Sequence, residues 1–239
     1  MVYTLDLRNH GESPHHPVHN YTAMAGDVEA FISSKPDEIT QPPILIGHSM
    51  GAKVAMTLAL RQPDKYTGVV PLDNAPVDAA LRSDFGTYIR GMLEVENAHP
   101  PITKQSDADA LLAKYASKVE VRQFLLTNFV KDPNDPARKK MYWRIPLTTL
   151  SRQMDQMGDF PFKDPDRVRF EGPCLVVRGI DSRYVADETL PVFGKFFPRF
   201  EVVDVKAGHW VVSEAFEETT DAVVDWVRRV IDQDSNSDD

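Results

Sequence analysis

The segment Gly47-His48-Ser49-Met50-Gly51 carries the residue types of an acyl-transfer nucleophile. A serine at a Gly-x-Ser-x-Gly spacing sits on a sharp strand-to-helix turn that holds its hydroxyl away from the backbone. The context agrees, because apolar residues 43–46 precede it and residues 52–61 follow with no helix breaker. Ser49 is the expected nucleophile. At the start of the following helix the Met50 amide would face a developing oxyanion, helped by the helix dipole. Lys53, on the same helix, reads either as helix surface or as a stem that packs.

A serine hydroxyl needs a base to take its proton. Of the seven histidines, His209 stands in Ala207-Gly208-His209-Trp210, after the last apolar run and before the last helical stretch. That gives the chain order serine, acid, histidine that goes with this type of turn. Two aspartates compete for the acid. Asp73 closes the strand directly after the nucleophile helix, and Asp181 follows the strand that begins at Cys174. Either would orient His209 and stabilise its cation. Asp204 lies inside the last strand and points away from the loop edge by alternation.

His10, His15, His16 and His19 lie close together near the front. Their spacing is not a helical i, i+4 pair, and Pro14 and Pro17 interrupt it. A surface loop is the expectation, not a metal site.

Elements must bring these distant residues together. Apolar runs at residues 2–7, 43–46, 66–72, 174–177 and 200–205 each end in a loop rich in Gly, Asp, Asn or His, and lead towards helical patterns. Short apolar strands alternating with helices imply a mostly parallel sheet with helices on both faces. In such sheets reactive groups collect on the loops at the carboxyl ends of the strands. The stretch 78–165 differs. It shows no clear strand, and Leu111, Leu112, Tyr115, Val119, Phe124, Leu125 and Phe129 recur at helical spacing. It reads as a helical lid inserted into the core, which gives residues 1–77 and 166–239 to the core and 78–165 to the lid. Phe85, Met92, Phe124, Phe129, Met154 and Met157 would line an acyl pocket or form the core of the lid, and stripes of this kind usually pack.

Composition sets the remaining bounds. The 239 residues are 42% hydrophobic, enough for one large domain without disulfides. Lys plus Arg number 27 against 36 Asp plus Glu, a net charge of −9, which leaves no basic footprint for nucleic acid. No run of about 18 apolar residues suggests a membrane span. The single cysteine, Cys174, excludes an internal disulfide and a cysteine-based zinc site. No Gly-x-Gly-x-x-Gly follows a strand, so no nucleotide or redox cofactor is expected. The front of the chain lacks the features of a signal or transit peptide and reads as a strand that begins at once. The polar segment from Asp232 onward reads as a disordered tail.

These residues resemble a family. Asp6-Leu-Arg-Asn-His-Gly-Glu-Ser-Pro-His, Gly47-His-Ser-Met-Gly-Ala-Lys, Asp73-Asn-Ala-Pro-Val, Val121-Arg-Gln-Phe-Leu-Leu-Thr-Asn, Trp143-Arg, Arg178-Gly-Ile-Asp-Ser-Arg-Tyr-Val and Ala207-Gly-His-Trp occur in order over nearly the whole chain. Together they resemble the α/β-hydrolase group that includes the mitochondrial α/β-hydrolase domain-containing protein 11, bacterial short-chain esterases and fungal ethanol acetyltransferases. The resemblance implies an α/β-hydrolase fold and a serine carboxyl-ester hydrolase acting on short or medium acyl esters or thioesters of a small-molecule substrate, or an alcohol O-acyltransferase that consumes acyl-CoA. It implies a mitochondrial location, with a cytoplasmic one as the alternative, and favours Asp73 as the acid, since the usual later acid position holds Ser182 here. Two departures stand out. Val211-Val-Ser-Glu-Ala follows Gly-His-Trp where relatives usually carry a His and a Pro. The family also has three further strands before the point where this chain begins, with a loop that supplies a second oxyanion amide. His10-Gly11 follows a different strand and is not read as that loop. The expectation is therefore a chain without strands one to three, which is an inactive fragment if that second donor is indispensable.

Overall fold

The computed structural model describes residues 1–78, 85–137 and 139–235. Along the chain, helix α1 (Tyr21–Ser33) precedes strand β1 (Ile44–His48), helix α2 (Met50–Arg61) and strand β2 (Gly68–Leu72). Helices α3 (Phe85–Glu96), α4 (Gln105–Leu112) and α5 (Val119–Leu126) follow, then the short strands β3 (Phe129–Lys131) and β4 (Met141–Trp143) and the helices α6 (Leu147–Arg152) and α7 (Met154–Gly158). Strand β5 (Cys174–Gly179), helix α8 (Leu190–Phe196), strand β6 (Phe200–Val205) and helices α9 (Val211–Glu214) and α10 (Phe216–Ser235) complete it. The chain splits into two compact units. One is Tyr21–Ala79 with Asp159–Asp239, and the other is Met1–Asn20 with Ala80–Gly158.

The first unit holds a parallel sheet in the order β1-β2-β5-β6. Its register sets His48 beside Leu72, Leu72 beside Val177, and Gly179 beside Val205. All four strands therefore end at one edge, and the residues that follow them share that edge. Val70, Leu72, Leu175 and Val177 pack on one face with Trp226 and Val230 of α10. The alternating residues Val69, Cys174 and Val176 face the other way and are equally buried. Both faces are covered, which explains why these strands are continuous apolar runs. Helix α2 is buried along almost its whole length, from Ala52 to Leu60.

The second unit has its own core, built around Met92, Leu112, Leu125, Phe129, Trp143 and Leu147. Met92 and Phe129 are thus core residues of this unit, while Phe124 is 46% exposed. The Arg122 side chain ties α5 to α4, donating to Asp109 Oδ1 at 2.8 Å and to the Ala116 and Ser117 carbonyls at 3.0 Å. Trp143 Nε1 donates to the Met92 carbonyl at 2.9 Å.

Four expectations need correction. Residues 2–7 form no strand and take no place in the sheet, and Val2 is 88% exposed. Apolar alternation makes a strand only where a neighbour completes the ladder, and here the Asp6 side chain and carbonyl instead take the Glu12 N–H and the Ser13 hydroxyl of the following turn. Residues 1–20 group with the helical unit and not with the core, and His15 Nε2 and Arg144 carbonyl, 2.9 Å apart, illustrate why. The inserted stretch does contain strands, an antiparallel β3–β4 pair. Three-residue strands are too short to show alternation, and Phe129 falls in helical step with Leu125. Finally, α10 runs to Ser235, so the acidic segment from Asp232 to that point is helical, while residues 236–239 lie outside the described residues. Among the described residues no helix is long and apolar enough to cross a membrane.

Candidate active site

Ser49 sits between β1 and α2 with φ 53° and ψ −113°. A non-glycine residue there costs about 1–3 kcal/mol and persists only where its surroundings hold it. They do so from several sides. The Ser49 N–H donates to the Leu72 carbonyl at 3.0 Å, its carbonyl takes the Ala52 N–H at 3.0 Å, and the Asn74 side-chain amide donates to the same carbonyl at 3.1 Å. A Cβ on Gly47 would stand 2.2 Å from the Gly51 carbonyl oxygen, so only glycine admits this close turn. Met50 is the first residue of α2. Its N–H belongs to the helix turn whose donors have no partner within the helix.

Asp73 follows β2 with φ 51° and is fully buried. Its N–H donates to the Val177 carbonyl at 2.9 Å. A buried carboxylate must be hydrogen-bonded, and this one accepts three times. Oδ1 takes the Gly179 N–H at 3.1 Å, while Oδ2 takes the Ser182 hydroxyl at 2.5 Å and lies 2.7 Å from His209 Nδ1. His209 Nε2 lies 2.8 Å from Ser49 Oγ. A carboxylate only accepts, so Nδ1 carries the proton and Nε2 is left as the acceptor for the serine hydroxyl.

The loop that carries His209 is held by its backbone. The His209 carbonyl accepts from His48 Nε2 at 2.7 Å, and the Gly208 N–H donates to Glu214 Oε2 at 2.6 Å. Burial pushes the His48 pKa down, so it acts here as a neutral donor. A Cβ on Gly179 would meet the Gly208 carbonyl oxygen at 2.1 Å, so the end of β5 and the His209 loop touch backbone to backbone. The Tyr184 ring stacks on the His209 ring with centroids 3.8 Å apart and planes 19° from parallel.

The geometry therefore brings Ser49, Asp73 and His209 together, with Met50 beside them in sequence. Asp181 is exposed, its N–H donates to the Ala207 carbonyl at 3.0 Å, and it is Asp73 that reaches His209 Nδ1. Asp204 pairs with Arg178 at 2.7 Å, which holds its carboxyl below the usual range. Of the two readings of Lys53, packing fits. It is 1% exposed, donates to the Asp159 carbonyl at 3.0 Å and stands 5.3 Å from the centre of the Tyr21 ring. Burial pushes its pKa down to about 8. Cys174 is buried in β5 and its thiol is pushed up, so it is no nucleophile. Sequence reasoning missed Tyr184, His48 and the Ser182 hydroxyl. Only Ser182 carried a signal, because the resemblance implies an acid at its position.

The early histidines are not a plain surface loop. His19 is 1% exposed and lies 3.3 Å from the side-chain amide of the buried Asn9. Asn9 also takes the His16 N–H at 2.7 Å and donates to the His16 carbonyl at 3.1 Å. Among the described residues no group of His, Cys, Asp or Glu could hold a metal ion. Burial, and then the nearby His10 ring and Arg8, push the His19 pKa down to about 4. Above the ordinary histidine value both folded and unfolded chains leave it neutral. As pH falls from about 6.5 to 4, the unfolded chain takes up a proton that the folded site refuses, and stability drops by about 3 kcal/mol. Urea midpoints at pH 7 and pH 4.5 will show this loss, and His19→Gln will shrink it.

The alpha/beta hydrolase fold family matches residues 1–216 of the chain. The chain belongs to the α/β-hydrolase family. Within it, a "Probable alcohol acetyltransferase" of Saccharomyces cerevisiae is 42% identical over 236 residues, covering 95% of this chain and 69% of that protein. The mouse "sn-1-specific diacylglycerol lipase ABHD11" is 35% identical over 229 residues, covering 95% and 71%. Among solved structures, a marine microorganism esterase superposes with a TM-score of 0.80 at 25% identity, covering 92% of this chain and 82% of that one. This α/β-hydrolase chain thus has relatives named for lipase, esterase and acyltransferase activity, which supports an enzyme.

Proposed function

We propose that the chain is a serine carboxyl-ester hydrolase acting on short or medium acyl esters or thioesters. Ser49 Oγ attacks the acyl carbon while His209 Nε2 takes the hydroxyl proton. Asp73 holds the imidazole in the required tautomer and stabilises its cation. The Met50 N–H donates to the oxyanion. As the tetrahedral intermediate collapses, the bond to the leaving oxygen or sulfur breaks and His209 returns the proton to that group. Water, deprotonated by His209, then attacks the acyl-enzyme and frees the acid and Ser49. The observation that carries this reading is the unbroken set of contacts from Ser49 Oγ to His209 Nε2 at 2.8 Å and from His209 Nδ1 to Asp73 Oδ2 at 2.7 Å. The helical insertion at 78–165 is proposed as the lid, and a mitochondrial site of action is proposed on resemblance alone.

A second reading has an alcohol in place of water, with acyl-CoA as donor. The yeast relative named for alcohol acetyltransfer favours it. Both readings share the acyl-enzyme, and the choice depends on which acceptor reaches it. A fluorophosphonate probe followed by peptide mapping tests the shared step, and label on Ser49 is the expected result. Acetyl-CoA or p-nitrophenyl acetate with rising ethanol then reads the acceptor. Free acetate as the main product fits hydrolysis, and ethyl acetate rising with ethanol fits the transferase. A folded chain that takes no label at Ser49 overturns both.

A further inference from the structure

Two side chains after β5 touch the base and the acid, and the reaction as written uses neither. The Ser182 hydroxyl donates to Asp73 Oδ2, the same oxygen that faces His209 Nδ1. The Tyr184 ring covers one face of the His209 imidazole, and its backbone N–H lies 3.2 Å from Ser182 Oγ. A single short turn therefore reaches both members of the pair, one through a hydroxyl and the other through a ring face.

We propose that Ser182 and Tyr184 are positioning residues that set the proton affinity of the base in opposite directions. The proposal rests on the acyl-transfer reading above. A hydroxyl that donates to a carboxylate draws charge from the oxygen facing the imidazole, and so weakens its hold on the imidazolium. A tyrosine face stacked on the imidazole does the opposite, because the ring's negative face attracts the cation form. The turn sets the two against each other at one imidazole.

The other titratable groups near His209 are accounted for. His48, at the end of β1, has its ring centroid 5.0 Å away and is kept neutral by burial while it donates to the His209 carbonyl. Glu214 in α9 accepts from the Gly208 N–H. Trp210 carries no charge. Tyr21 on α1 couples electrostatically to Tyr184, and burial raises its own pKa, so it stays neutral through the working range. Asp181 is exposed.

The test is the rate of fluorophosphonate labelling at Ser49 as a function of pH, for the full chain and for Ser182→Ala, Tyr184→Leu and Tyr184→Phe. The expected result is an acidic limb that moves up by about half a pH unit in Ser182→Ala and down by about half a unit in Tyr184→Leu. Tyr184→Phe keeps the ring face and will leave the limb in place. A merely structural role would lower the rate at every pH with the limb unmoved, and that result overturns the proposal. So do limbs that move the same way. Ser182→Ala removes a single oxygen, so if Tyr184→Leu does not fold, an unmoved or lowered limb in Ser182→Ala still overturns it. Failure of the acyl-transfer reading is separate, because the unmodified chain would then not label at Ser49 at all.

Discussion

Replacing Ser49 with alanine will lower kcat for a simple acyl ester by about a million-fold. The size follows from how the site is divided. With Oγ gone, the acyl-enzyme cannot form, and His209 and Asp73 have no nucleophile to activate. What remains is direct attack by water, assisted only by the oxyanion donor and by binding, a residual advantage of about 10³–10⁴ over bulk solution. The lesion is local. Alanine retains the Cβ, so the strained φ of 53° is no harder to hold than before, and the backbone bonds to Leu72 and Ala52 stay in place. The unfolding midpoint should therefore barely move while the pre-steady-state burst of the leaving alcohol or thiol disappears. A variant with more than about a tenth of the parent activity would show that Ser49 is not the nucleophile.

Asp73→Asn will cost about 10⁴-fold in kcat with the fold intact. The reason lies in what surrounds the carboxylate. Gly179 N–H donates to one oxygen, and the Ser182 hydroxyl and His209 Nδ1 face the other. All three partners are donors, and an amide offers only one accepting atom. If the amide oxygen faces Gly179, its NH₂ points at His209 and drives the imidazole proton to Nε2. That nitrogen then has no lone pair for the Ser49 proton. If the amide turns round, two N–H groups confront each other in a buried site, which is worse. Asp181→Asn is the matched comparison. Asp181 is exposed, and its backbone, not its carboxyl, makes the contact with the His209 loop. Its kcat should stay within about twofold of the parent. Equal losses in the two variants would remove Asp73 from the acid role.

Much of the sheet is legible in the sequence. Strands buried on both faces are dense in Val, Ile and Leu, and each of β1, β2, β5 and β6 runs into residues that break a strand. The placing of residues 49, 73 and 209 at one edge was legible for the same reason, because parallel strands in register deliver the residues after them to one edge, a rule that by itself did not separate Asp73 from Asp181. Residues 2–7 misled, since their composition is that of a strand and nothing in composition reports whether a ladder partner is present. The β3–β4 pair was hidden by its length and by Phe129 falling in step with a helix. Lys53 shows a further limit. Its charge suggests solvent, yet the Asp159 carbonyl accepts from it, the Tyr21 ring lies beside it, and the side chain lies inside. That acceptor is far away in sequence, as are the partners of Tyr184 and Ser182. Contacts between distant residues depend on the packed backbone, and local pattern carries no trace of them.

Gly47 and Gly179 offer no side-chain atom to the proposed chemistry. At each, a single added carbon would run into a backbone carbonyl, of Gly51 in one case and of Gly208 in the other, and the turn carrying the nucleophile or the loop carrying the base would have to move. Misplacement of about 1 Å is enough to cost a hundredfold in rate. A side chain at either position is therefore excluded for want of space alone. Whoever ranks the residues of this protein by their intolerance to substitution should find both glycines beside Ser49, Asp73 and His209, and will be reading the thickness of a methyl group as chemistry.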